Sequence, residues 1–226
     1  VSHEFKTPLT TISGFLTVVL EGEAGALNAQ QMKFLTIVQS AAKRLSGLVS
    51  DLLDLSRLEG GVKMERSPLD LVRLVAESVE NHQPAAAHAG KTLSAEAPAS
   101  LSRALGDGRW LGLVIDNLIS NAVKFTHPGG RVRVRLQDVG EFLKVSVSDD
   151  GIGVPPGDRE KIFERFYRAG NCAEVNVSGT GLGLALAREV VDRHGGRIWL
   201  ESEMGKGTTF HFVVPAAGRE TDGPRR

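Results

Sequence analysis

The sequence predicts an all-α helical hairpin followed by an α/β sandwich whose sheet is mostly antiparallel. Three observations carry this. Residues 1–59 hold apolar side chains three and four apart, with one polar interruption. Residues 131–137 and 142–148, and again 197–203 and 207–214, alternate apolar and polar, each pair joined by turn-forming residues. Helical periods at 70–88, 107–125 and 181–194 surround the first strand pair, which places helices on one face of a sheet.

The first helix takes its apolar face from Phe5, Leu9, Ile12, Phe15, Leu16 and Val19. Pro8 lacks a donor and clashes one turn back, so a kink is expected there. Residues 21–28 read as a loop closed by Asn28 as N-cap. In the second helix, about 29–59, Leu35, Val38, Ala42, Leu45, Val49 and Leu52 form a bundle seam. Burial of apolar surface is worth about 25 cal/mol per Å², so an uncovered seam is costly. Two solutions are open: a homodimer forming a four-helix bundle, or packing of the hairpin on the domain that follows. Gly60 and Gly61 end this helix.

The chain divides into a hairpin domain at 1–61, a linker or short strand at 62–69 around Pro68, an α/β domain at 70–215 and a polar, disordered tail at 216–226. Within the α/β domain a short strand is expected at 91–97. Leu111, Val114, Ile115, Leu118 and Ile119 should face inward from helix 107–125. The glycine-rich stretch 150–180 should be irregular apart from a short helix at 159–166. Gly195 and Gly196 stop the last helix.

Of 226 residues, Lys plus Arg number 27 and Asp plus Glu 27. This balance offers no bulk attraction to nucleic acid or to anionic lipid. The single cysteine, Cys172, excludes an internal disulfide and suits a reducing compartment. No apolar run reaches membrane-spanning length and no signal peptide is visible. The start, Val1-Ser2-His3-Glu4, reads as if it lay within a helix of a longer chain.

Four groups of residues invite chemistry. Gly179-Thr180-Gly181-Leu182-Gly183 precedes an apolar-faced helix, so its backbone donors can meet phosphate oxygens; a flexible packing turn is the plainer reading. Asp149 ends a strand and is followed by Gly151 and Gly153. Its carboxylate could accept from an adenine amino group, or be a solvated turn acid. Asn117 and Asn121 share a helical face that Lys124 reaches. Their amide oxygens suit Mg²⁺ and the lysine suits phosphate, although a surface cluster would look the same. His3, beside Glu4 and four residues before Thr7, offers a nucleophilic imidazole; an isolated histidine on a helix is ordinarily a surface residue.

Taken together these segments resemble the sensor histidine kinase family of two-component systems. Residues 2–10 look like its phosphoacceptor box and 117–126 like its N box. Residues 149–153 and 179–185 look like its two glycine boxes, and 163–168 like its F box. The order is that of the family, and the resemblance spans nearly the whole chain. It implies an ATP-binding domain of the gyrase, Hsp90, histidine kinase and MutL type, and a dimeric four-helix bundle built from two hairpins.

The resemblance also implies roles. His3 is the phosphoacceptor, Glu4 its acid–base neighbour and Thr7 an aid to dephosphorylation of a response regulator. Asn121, with Asn117 beside it, holds Mg²⁺. Asp149 binds adenine, with Gly151 and Gly153 letting the backbone pass close to the ring, Phe125 stacks, and Lys124 and Arg168 contact phosphates. Tyr167 belongs to the F box, and residues 154–180 form a lid in which Cys172 is incidental. ATP and Mg²⁺ are the implied cofactors. The implied partners are a receiver domain and a second copy of the chain, with no nucleic acid and no membrane contact by this part. That part would be cytoplasmic, with inner-membrane anchoring open to the parent protein. Three departures stand out. Gly112 and Trp110 sit where a polar and an aliphatic residue, respectively, are common, Phe125 replaces a common tyrosine, and the first helix lacks its upstream turns.

Overall fold

The computed structural model describes residues 2–173 and 179–218, with the backbone alone for 2–6 and 173. Helices α1 (Ser2–Leu20) and α2 (Ala29–Glu59) form the expected hairpin, and α1 continues through Pro8. Asn28 caps α2 in a reciprocal box with Gln31: each side chain accepts the other residue's backbone N–H. Gln39 on α2 meets Thr17 on α1 across the hairpin.

Two sets of apolar residues on α2 meet different fates. At its C-terminal end Leu55 and Leu58 are buried in the core of the following domain. Further up, Val38, Leu45 and Leu52, seven residues apart, are 48%, 50% and 51% exposed, and Phe15 on α1 is 69% exposed. The α/β domain therefore leaves this stripe of the hairpin uncovered.

Strand β1 (Ser67–Leu69) pairs antiparallel with β3 (Ala104–Gly106). The segment 62–69 is thus a short strand held to the domain. The Glu65 N–H donates to Asp107 and the Arg66 guanidinium to the Arg193 carbonyl. β3 is three residues long, too short to display an alternation in the sequence. Between them lies α3 (Leu71–His88), followed by β2 (Thr92–Glu96).

The main sheet has five strands in the order β2-β4-β5-β7-β6. It contains β4 (Arg131–Val139), β5 (Phe142–Asp149), β6 (Arg197–Glu203) and β7 (Gly207–Pro215). All neighbours are antiparallel except β2 and β4. Val132, Val134 and Leu136 on β4, with Leu143, Val145 and Val147 on β5, face the buried side. There they meet α3, α4 (Gly108–Phe125) and α5 (Gly183–Arg193). The inward face expected for α4 holds: Leu111, Val114, Ile115, Leu118 and Ile119 are fully buried. The opposite face is polar, with Arg133 and Arg135 paired to Glu96.

Two expectations need correction. No α-helix forms over 159–166. The chain makes only a 3-10 turn, Lys161–Phe163, because Phe166 adopts a positive φ of 62° while its N–H bonds the Gly181 carbonyl. That bond pulls the segment toward the glycine turn and out of helical geometry. The tail does not begin at 216. Ala216 is buried and donates to the Glu141 carbonyl, and Ala217 donates to that of Arg103. Residues 219–226 lie outside the described residues. No described helix is long and apolar enough to cross a membrane.

Candidate functional site

The site begins with the anchoring of α4. The Asp107 carboxylate accepts the N–H groups of Arg109 (3.0 Å) and Trp110 (3.4 Å), supplying partners that the first turn lacks. The Asp107 N–H donates to Nε2 of buried His194 (3.0 Å), and His194 Nδ1 donates to the Val190 carbonyl (2.7 Å). This fixes the imidazole tautomer, and burial holds its pKa below the ordinary histidine value. One aspartate and one histidine thus lock the start of α4 to the end of α5.

With its apolar face packed, α4 turns Asn117, Asn121 and Lys124 outward as one stripe at helical spacing. The start of α5 comes against this stripe. A Cβ on Gly183 would lie 2.7 Å from Asn117 Oδ1, so any larger residue there would displace the Asn117 carboxamide. Lys124 loses solvation here, which lowers its pKa, while the nearby Asp51 carboxylate pulls it back up.

At the end of β5, Asp149 accepts the Gly151 N–H at 3.0 Å. Burial pushes its carboxyl up to about 6, against backbone donors at Gly151 and Thr208 that favour the charged form. Gly151 passes so near the Phe125 carbonyl that a Cβ would sit 2.2 Å from its oxygen. These elements enclose a cleft of about 580 Å³. Asn117, Asn121, Lys124, Phe125, Asp149, Gly153, Tyr167, Arg168, Gly179, Thr180, Gly181 and Gly183 all line it. Gly151 and Leu182 lie just behind the wall; Leu182 is buried and donates its N–H to Thr180 Oγ1.

The first half of the expected lid is tied down. Tyr167 Oη donates to Asp158 (2.8 Å), whose other oxygen accepts the Gly170 N–H. The Val154 N–H donates to Ser202. Residues 174–178 lie outside the described residues.

The segment expected to hold the phosphoacceptor is apart from this cleft. His3 and Glu4 belong to α1, but their side chains lie outside the described residues. Thr7 follows one turn later and is exposed. Among the described residues, no α1 residue lines the cleft. The hairpin register, with Gln39 beside Thr17, brings the turn of His3 level with the turn of α2 that carries Asp51.

Family profiles match in two places. Residues 1–61 match the His Kinase A (phospho-acceptor) domain. Residues 106–218 match the histidine kinase-, DNA gyrase B- and HSP90-like ATPase. The chain belongs to the sensor histidine kinase family. Among its sensor kinase relatives, WalK of Bacillus subtilis (strain 168) is 36% identical over 233 residues, covering 98% of this chain and 36% of WalK. The full-length structure of ShkA in complex with AMPPNP superposes with a TM-score of 0.76 at 31% identity, over 97% of this chain and 45% of ShkA. The mycobacterial sensor histidine kinase MprB, at 30% identity and a TM-score of 0.59, matches over 67% of this chain and 97% of that one. The chain therefore spans about a third of the length of its curated relative WalK.

Sequence reading missed part of this kinase cleft. Ser40, Lys43, Arg44, Gly47 and Asp51 reach it from α2, although no local pattern sets them apart from a solvated helix face. Asn171 lines it too. Its Nδ2 donates to the Gly153 carbonyl (2.9 Å), while its buried Oδ1 has no partner among the described residues. A polar residue inside the lid segment was the available signal for it.

Proposed function

We propose that this chain is the autokinase core of a longer sensor kinase, transferring the γ-phosphoryl of ATP to His3 and passing it on to an aspartate of a response regulator. One observation carries the reading. A half-buried carboxylate, a stripe of two carboxamides and a lysine, and a glycine turn opening a helix converge on one cleft of nucleotide size. Asp149 is suited to accept the adenine amino group beside Gly151 and Gly153, with Phe125 against the ring. Lys124, Arg168 and the turn Gly179, Thr180, Gly181, Leu182 and Gly183 are suited to phosphates.

Asn121 and Asn117 fit Mg²⁺, a hard cation that takes oxygen ligands. Bound there, the ion would offset the charge of the phosphates. The imidazole of His3 forms the N–P bond as the bond from phosphorus to the bridging oxygen breaks, and ADP departs. Glu4 takes up the ring proton, and Thr7 serves the reverse traffic from the regulator. The exposed heptad stripe of α2 supports a homodimer with a four-helix bundle. Glutamate does not occur at Asn117 or Asn121, which speaks against a water-activating ATPase.

Incubation with γ-labelled ATP tests the reading. Label that is acid-labile and base-stable, and is lost in His3→Gln, is the expected result. Labelling that persists unchanged in His3→Gln would overturn it.

A further inference from the structure

Thr180 stands in the glycine turn, yet its hydroxyl is already committed. A hydroxyl carries one hydrogen. Thr180 Oγ1 gives that hydrogen to Asp51 Oδ2 at 2.8 Å and accepts the Leu182 N–H at 3.2 Å. Asp51 belongs to α2, so the bond joins the hairpin to the cleft across 129 residues of sequence. The same carboxylate acts on the Lys124 ammonium, favouring its charged form.

We propose that Asp51 competes with the nucleotide's phosphates, so that docking of α2 against the cleft and binding of the triphosphate oppose each other. The inference rests on the reading of the cleft as an ATP site. A phosphate oxygen accepting from Thr180 must first take the hydrogen that Asp51 holds. A triphosphate approaching Lys124 meets a carboxylate of its own sign.

The remaining contacts of the hairpin fit a reversible dock. Glu59 pairs with Arg165 and Asp54 with Arg109 (3.9 Å), and the four side chains are exposed or partly so. Such pairs add little, about 1 kcal/mol or less each. The apolar anchor at Leu55 and Leu58 lies between them on α2 and can act as the pivot. Lys43 and Arg44 line the same wall with positive charge, and Asp54 is the other acid close to Asp51. Neutralising Asp51 therefore leaves a wall that favours phosphate.

Calorimetric titration of the whole chain with Mg²⁺–AMPPNP, and separately with adenosine, tests this. Asp51→Asn is expected to bind Mg²⁺–AMPPNP about fivefold more tightly or better, the lower end of couplings between linked sites. Adenosine, which has no phosphate, should bind both proteins alike, and Asp51→Glu, which keeps the charge, should stay near the unaltered affinity. A thermal melt of each variant checks that the fold is intact. Equal or weaker AMPPNP binding by Asp51→Asn would overturn the competition and mark Asp51 as a ligand of the metal–nucleotide complex. An equal gain for adenosine would overturn it as well. Absence of binding by either protein would overturn the ATP reading itself, and the competition with it.

Discussion

Asp149 pays for its position in stability. Its carboxyl sits at about 6 in the fold against 3.8 for the free side chain, chiefly because burial penalises the anion. The folded chain therefore holds this proton more tightly than the unfolded chain does. The stability tied to that proton is fully present below about pH 4 and is lost as pH rises through about 6. Asp149→Asn removes the penalty. It should melt at a higher temperature than the unaltered chain near pH 7.5 and show no such gain near pH 4, by calorimetry at both values. The same variant should lose adenosine binding, since a carboxamide can present its donor where the adenine amino group needs an acceptor. Normal affinity for adenosine would sink the assignment. Asp149 was legible in the sequence because a strand end and two nearby glycines mark it; its raised pKa was not, since burial is set by residues from β7 and α4.

At the scale of elements, α4 shows how a local rule and a distant contact combine. Its apolar stripe and its polar stripe were both readable from periodicity. The reason it starts where it does was only half readable: Asp107 is an evident N-cap, but its N–H is held by His194 from the end of α5. Asp107→Ala should cost about 2 kcal/mol, the upper end of the range for losing a cap, because Glu65 loses its acceptor too. Denaturant titration measures this, and a loss indistinguishable from zero would mean that water replaces the cap fully. The segment 159–166 went the other way. Its composition reads as a helix, yet one backbone bond from Phe166 to Gly181 turns it into a 3-10 turn. A contact between residues fifteen apart leaves no periodic trace.

Over the whole molecule, the hairpin is the part whose surface is unfinished. Val38, Leu45 and Leu52 repeat at heptad spacing and face outward, and each apolar side chain buried in a bundle is worth about 1.5–3 kcal/mol. The double variant Val38→Lys, Leu45→Lys should convert a dimer into a monomer in sedimentation equilibrium without shifting the melt of the α/β domain. A monomer already in the unaltered chain would remove the basis of the proposed bundle. The seam itself was visible in the sequence as a repeat. Which side of α2 the chain covers for itself was not, because Leu55 and Leu58, which fall outside the alternation that ends at Leu52, pack into the α/β core.

By itself the sequence determined the two-part architecture, the two strand hairpins, the inner face of α4 and the polar and glycine residues of the cleft at Asn117, Asn121, Lys124, Asp149 and 179–183. These are matters of spacing, turn chemistry and burial preference, which act over a few residues. Only the tertiary structure decided that α2 lies along the cleft, that Asp51 accepts the hydrogen bond of the Thr180 hydroxyl, and that Ala216 completes the sheet domain. Those outcomes depend on where separately formed elements come to rest, and the free energy that sets this is spread over many contacts that no short stretch of sequence contains.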